Sequence, residues 1–103
     1  MEERPLDIET AVRALRCEVK SAEGNRWGLE HGRHYSDGTP DGNTAGAAMH
    51  TARCEIELEA VRDLLTTYGV LSNASAAAIV AAERKRVREE LDEKWLKETS
   101  HAS

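Results

Sequence analysis

The sequence predicts an all-α fold: a short N-terminal helix packed on an antiparallel hairpin of two long helices, with an irregular loop of 20 residues (24–43) between helices one and two. Two observations predict it. Apolar residues recur at steps of three and four in three separate stretches, the period of one helix face. Each stretch is bounded by residues that start or stop helices, with Asp, Asn or Ser before it and Gly after two of the three.

The first helix is expected over 7–23. Ile8, Val12, Leu15, Val19 and Ala22 form one narrow stripe, Asp7 can cap the start, Glu9 suits the positive end of the helix dipole, and Gly24-Asn25 reads as a stop. The second is expected over 44–68. Met49, Ala52, Ile56, Ala60 and Leu64 make one stripe, and Leu58, Val61 and Leu65 widen it enough to touch more than one neighbour. With Gly69 left-handed at C′, Val70 falls at C″ and Leu65 at C3, the apolar pair of a Schellman ending. The third helix is expected over 75–98, opening near Ser72–Ser75. Its first half is the smooth run Ala76–Ala82; its second is dense in charge, with Glu90–Lys94 and Glu93–Lys97 as i,i+4 pairs. Only six residues, Gly69 to Ala74, join helices two and three, which makes a hairpin the natural result. A frayed tail is expected over 99–103.

At 103 residues the chain is read as one domain, 1–103. Its core material is thin: fifteen residues are Ala, there is no Phe, and the larger apolar side chains number 24. Oligomerisation is an ordinary remedy for a thin core. Met49, Ile56, Ala76, Ile79 and Val80 are the expected oligomer interface, in a two-fold contact.

The net charge of −5 and pI near 5.4 disfavour a general nucleic-acid binder. No run of apolar residues approaches the ~18 that span a bilayer, no secretory signal opens the sequence, and two cysteines make no disulfide framework, so a cytoplasmic protein with reduced thiols is expected. Ten Arg to four Lys, with abundant Ala, fits a GC-rich bacterial or phage genome.

Residues 24–43 hold one of the two Trp, one of the two Tyr and two of the four His, a composition that points to an ordered loop. Arg26, Trp27, Arg33, His34 and Tyr35 are the candidate ligand- or partner-binding residues. Rings offer stacking faces, Arg offers bidentate bonds to an anion, and the helix start at Asn43–Gly46 offers backbone N–H groups. The competing reading is that Trp27 and Tyr35 only pin the loop to the helices. A zinc set of His31, His34, His50 and Cys54 can be drawn, without the spacing of a known ribbon or finger. Asp37 to Gly42 imitates a calcium loop but lacks its final acid, where Ala48 stands, and reads better as two successive turns.

Arg84-Lys85-Arg86-Val87-Arg88 is the one dense basic run. Ahead of it, Leu64-Leu65-x-x-Tyr68-Gly69-Val70 and a Ser-led helix resemble the helix–turn–helix of bacterial regulators, over about 25 residues; Leu71 is one residue too many in the turn, and Ala fills the reading positions. The resemblance implies a DNA-binding regulator with a degenerate motif. His50 and Cys54 lie one helical turn apart, but the third group that would orient such a pair is not legible, so no catalytic residue, cofactor or metal is assigned and no enzyme is expected. The function expected is that of a small helical interaction protein: an adaptor, regulator or inhibitor acting as a homo-oligomer on a protein partner. A small anionic ligand at the loop is the alternative.

Overall fold

The structure is a computed structural model describing residues 7–96, and among them three α-helices and one π-helical turn make up the body: α1 (Ile8–His31), α2 (Thr44–Thr67), α3 (Asn73–Leu91) and the turn Asp92–Leu96. The all-α class is as the periodicity required. The expected end of helix three at 97–98, its Glu93–Lys97 pair and the tail 99–103 lie outside the described residues.

Asp7 caps α1 as expected, its carboxylate accepting from the Thr10 N–H at 2.7 Å. The helix then departs from expectation. It does not stop at Gly24-Asn25 but continues to His31 and ends at Gly32, whose φ of +65° allows its N–H and that of Arg33 to close on the Gly28 carbonyl. Gly24 and Gly28 are packing residues instead. A Cβ on Gly24 would sit 2.7 Å from the Tyr35 ring, and one on Gly28 would collide with the Arg33 carbonyl oxygen. The helix is thus no shorter than α2, and the irregular segment shrinks to 33–43.

Asn43 caps α2 through the Gly46 N–H at 2.9 Å. The expected Schellman ending is present: Gly69 has φ +73°, the Val70 N–H reaches the Leu65 carbonyl at 2.9 Å, and the Gly69 N–H reaches that of Thr66 at 3.1 Å. Ser72 caps α3 at the Ser75 N–H, starting it two residues before the expected position. At its far end the i+4 ladder widens into the π turn, and the expected Glu90–Lys94 pair is replaced. Glu90 takes Arg86 at 2.7 Å, and the Lys94 ammonium lies 4.8 Å from the Trp95 ring centroid.

Packing also differs from the expected hairpin. The helices run up, down and up, so α2 and α3 are antiparallel, but α1 lies between them and each packs on α1 rather than on the other. A thin apolar supply explains this: the central helix carries the well-buried stripe Ala11, Leu15, Val19 and Ala22, against which Cys54, Leu58 and Leu65 of α2 and Leu71 and Ala76 at the head of α3 close. A second cluster at the other end holds Trp27, Val87 and Leu91, with Tyr35 and Trp95 packed against them. The result is elongated, 57 × 28 × 26 Å, with a radius of gyration of 16.0 Å where a compact chain of this length has ~13 Å.

Candidate functional site

The segment 33–43 folds back along the glycine face of α1 and is held at nearly every residue. The His34 N–H meets the Thr39 carbonyl at 2.8 Å and the Gly38 N–H meets that of His34 at 2.7 Å. Asp37 accepts from the Thr39 N–H and hydroxyl, and Asp41 accepts from the Asn43 N–H. The backbone turn lies at 35–37, ahead of the Asp37 to Gly42 stretch where two successive turns were expected, and the two side-chain bonds occupy an oxygen of each carboxylate that a calcium loop would need. Trp95 closes the outside: its ring covers Gly38, where a Cβ would lie 2.5 Å away, and its indole N–H donates to the Tyr35 carbonyl at 3.2 Å.

Between this segment, the second half of α1 and the first turns of α2 is a cleft of about 470 Å³, whose lining includes Asn25, Arg33, His34, Tyr35, Asp41 and His50. Of the five candidate binding residues, Arg33, His34 and Tyr35 are brought together here. Trp27 is not: it is fully buried inside α1, stacks on His31 at 4.2 Å between ring centroids, and donates its indole N–H to Asp92 at 2.9 Å. Arg26 is not either, since it is drawn to Glu55 on α2 at 3.0 Å. Trp27 belongs to α1 and joins it to α3 instead of pinning a loop, while Tyr35, in the segment after α1, packs against the same cluster and also lines the cleft. Asn25, Asp41 and His50 were missed as members of this site. Asn25 was mistaken for a helix stop, and the Asp-x-Asn pair at 41–43 is a turn-then-cap signal that could have placed Asp41 at the mouth of α2.

The zinc set is not assembled. Among the described residues no three His, Cys, Asp or Glu side chains approach closely enough to hold a metal ion. His31 spends Nδ1 on the Trp27 carbonyl at 2.7 Å, and His34 faces Asp41 at 3.8 Å. His50 Nε2 lies 3.8 Å from the Cys54 sulfur, and the Asn25 amide donates to the same sulfur at 3.6 Å. That trio contains the residue types of a thiol nucleophile, its base and an orienting amide, but the arrangement is unsuited to the task. Asn25 touches the sulfur rather than the imidazole, and burial, then Glu57, Glu18 and Glu55, push the Cys54 thiol above its usual range, away from the reactive thiolate.

Arg84 and Arg88 of the basic run turn toward the other helices, while Lys85 and Arg86 stay exposed beside acids of α3. Arg84 bridges Glu23 of α1 at 2.9 Å and Glu55 of α2 at 2.8 Å; Arg88 bridges Glu23 at 2.6 Å and also pairs with Glu30; Arg86 takes Glu83 and Glu90. With Arg26 on Glu55, the chain Arg26–Glu55–Arg84–Glu23–Arg88–Glu30 alternates in sign across all three helices around one buried carboxylate, Glu23. Bonds from Arg88 and Arg84 hold the Glu30 and Glu55 carboxyls below their ordinary range. A phosphate backbone would have to displace these carboxylates. The proposed reading helix also runs antiparallel to α2 along a shared neighbour rather than crossing it at ~90–120°.

The expected oligomer residues divide into two groups. Ala76 is fully buried in the intramolecular core, and Ile79 and Val80 are half-buried against it, so this part of the expected interface is turned inward. Met49 and Ile56 lie on the outer face of α2, 70% and 69% exposed. Ala45, Met49, Ala52, Ile56, Ala60 and Leu64 continue one exposed apolar line along that helix, with Tyr68 exposed just beyond its last turn. Arg53 and Glu59 flank it. No helix among the described residues is long and apolar enough to cross a membrane. In comparisons with protein families, with curated proteins and with solved structures, the chain matches none of them.

Proposed function

We propose that this chain is a helical interaction protein of the cytoplasm that works as a homodimer, its two copies meeting along the outer face of α2, and that it acts on a protein partner without catalysis of its own. The observation that carries the reading is the continuous apolar line Ala45–Leu64, which the rest of the chain leaves uncovered. Contiguous apolar surface of this kind is uncommon on monomers and marks interaction sites. A second copy is the occupant that the flanking charges fit. Arg53 and Glu57 lie on the same flank of the line, three residues before and one residue after Ile56, so an antiparallel two-fold axis at Ile56 sets Arg53 against Glu57 of the partner subunit, twice. Glu59, on the other flank, is taken by Arg62 of its own chain. Arg53 has no ion-pair partner within its own chain among the described residues. The protonated state of Cys54 and the occupied guanidiniums of α3 favour interaction over thiol catalysis or DNA binding.

Sedimentation equilibrium tests this. The wild-type protein is expected to sediment as a dimer at micromolar concentration and Ile56→Asp as a folded monomer, with helicity retained because Ile56 makes no core contact. Arg53→Glu should weaken the dimer and Arg53→Glu with Glu57→Arg should restore it, the signature of a charge pair across the axis. A wild-type monomer up to the highest soluble concentration would sink the proposal.

A further inference from the structure

Apart from its α2 face, the molecule carries a second feature that neither packing nor self-association explains, the cleft beside segment 33–43. In the ionic ladder across the three helices each guanidinium has a carboxylate: Arg26, Arg84 and Arg88 are all paired, and Arg86 next to them is paired too. Arg33 is half-buried, lines the cleft, and is bonded to nothing through its guanidinium among the described residues. A guanidinium partly withdrawn from water without a counter-ion is a cost unless something fills the place of the missing acid. Two imidazoles share the lining. His34 uses Nδ1 toward Asp41 and His50 uses Nε2 toward Cys54, which leaves one ring nitrogen of each without a partner among the described residues. The three groups come from the hook after α1 and from α2, and hydrogen bonds fix the backbone of the hook, so the side chains extend from a base that is set before any ligand arrives.

We infer that this cleft binds a small phosphate group, inorganic or borne on a small molecule. The Arg33 fork makes the bidentate contact, His50 donates through its Nδ1–H, and His34, whose Nδ1 faces Asp41, donates through Nε2 in its imidazolium form. Asp41 is the one acid in the lining. One of its oxygens is held by the Asn43 N–H and the other faces the His34 ring at 3.8 Å, and neither is paired with Arg33. At 470 Å³ the space exceeds a bare phosphate and admits a small substituent on it. Gly46, Ala47 and His50 are what α2 contributes, and none of them lies on its outer apolar line, so phosphate binding and dimerisation are separable.

The test is a titration of the full chain with inorganic phosphate, followed by calorimetry and by the NMR signals of the Arg33 side-chain N–H and the two imidazoles. Saturable binding that shifts all three residues is expected. Arg33→Gln should weaken it about tenfold or more at unchanged melting temperature, while Arg33→Lys, which keeps the charge but loses the fork, retains part of it. Lys85→Gln, which removes an exposed cation of α3 outside the cleft lining, should leave it unaltered. Absence of saturation, equal binding by Arg33→Gln, or acetate binding as tightly as phosphate would each overturn the assignment.

Discussion

A glycine inside a helix ordinarily weakens it by about 1 kcal/mol relative to alanine, so replacing one there should stabilise. In α1 the sign should reverse at two positions, because Gly24 and Gly28 mark where the returning segment touches the helix. A methyl at Gly28 meets the backbone carbonyl of Arg33, and one at Gly24 meets an aromatic ring that is itself packed against the second cluster. Neither neighbour can swing aside as the tip of a flexible side chain could. Gly28→Ala is therefore expected to lower stability by ~1–3 kcal/mol, the usual range for overpacking. Gly42→Ala, with open space around it and no positive φ, is expected to be neutral or to stabilise by a few tenths of a kcal/mol. Chemical denaturation of the two variants checks the contrast, and a stabilised Gly28→Ala would mean that segment 33–43 does not lie on α1. The cysteines give a second residue-level outcome. Cys17 is exposed and Cys54 is buried with its thiol held protonated. A disulfide reagent at pH 8 should therefore label one thiol quickly and the second only when the protein is unfolded. Two fast equivalents would show that Cys54 is accessible.

At the level of the elements, what the sequence revealed was whatever local chemistry decides. Asp7, Asn43 and Ser72 each accept the backbone N–H three residues on, and Gly69 ends α2 with both bonds of its motif. The apolar line on α2 was visible for the same reason, but the expectation that so broad a face touches more than one neighbouring helix fails within the chain, since α2 packs on α1 and hardly meets α3. What stayed hidden was decided across the chain. Gly24-Asn25 is a legitimate stop by local rules, and it was overridden because Trp27, beyond it, buries its whole surface against Val87 and Leu91, sixty residues away. The spacing Gly24, Gly28, Gly32 was the available clue: three glycines four apart share a helix face, and only the last takes the left-handed conformation that ends a helix. The cleft was only half legible for the same reason. Arg33, His34 and Tyr35 announce themselves by type, whereas Asn25 and His50 join them only once α1 is known to continue past residue 24 and α2 to pack back against it. The basic run on α3 misled because its partners, Glu23, Glu30 and Glu55, are distant in sequence, although Glu23 falls four residues from both Val19 and Trp27 and so on the buried face of the longer helix.

For the molecule as a whole the question is what keeps α2 and α3 in place when they hardly touch each other. Apolar clusters fasten the two ends, around Leu15 and around Trp27, and the alternating ladder Arg26–Glu55–Arg84–Glu23–Arg88–Glu30 spans the middle. Its centre is costly to disturb: Glu23→Gln, at a site 5% exposed that holds two guanidiniums, should destabilise by ~1.5–3 kcal/mol in chemical denaturation, the range for losing bonds to a charged group, since Arg84 keeps Glu55 and Arg88 keeps Glu30. The outer carboxylates make the ladder sensitive to acid. Glu30, Glu55 and Glu83 all sit below their ordinary value of 4.5 because an arginine donates to each. A lowered carboxyl pKa means that the unfolded chain takes up protons before the folded one, so stability rises with pH across that window. The contribution is whole above about pH 4.5 and shrinks as pH falls through the depressed folded values. Because Glu30 is about half exposed, the ladder's outer carboxylates together contribute on the order of 1–2 kcal/mol rather than the sum of buried pairs. Thermal melts should accordingly show a flat midpoint from pH 8 to pH 5 and a fall between pH 4.5 and pH 3. The Glu30→Gln, Glu55→Gln double variant should melt lower at neutral pH and lose less on acidification, because two of the groups whose protonation drives the fall are already neutral. If the variant and the wild type fall in parallel, the acid sensitivity lies elsewhere, and α2 and α3 are held by the end clusters alone.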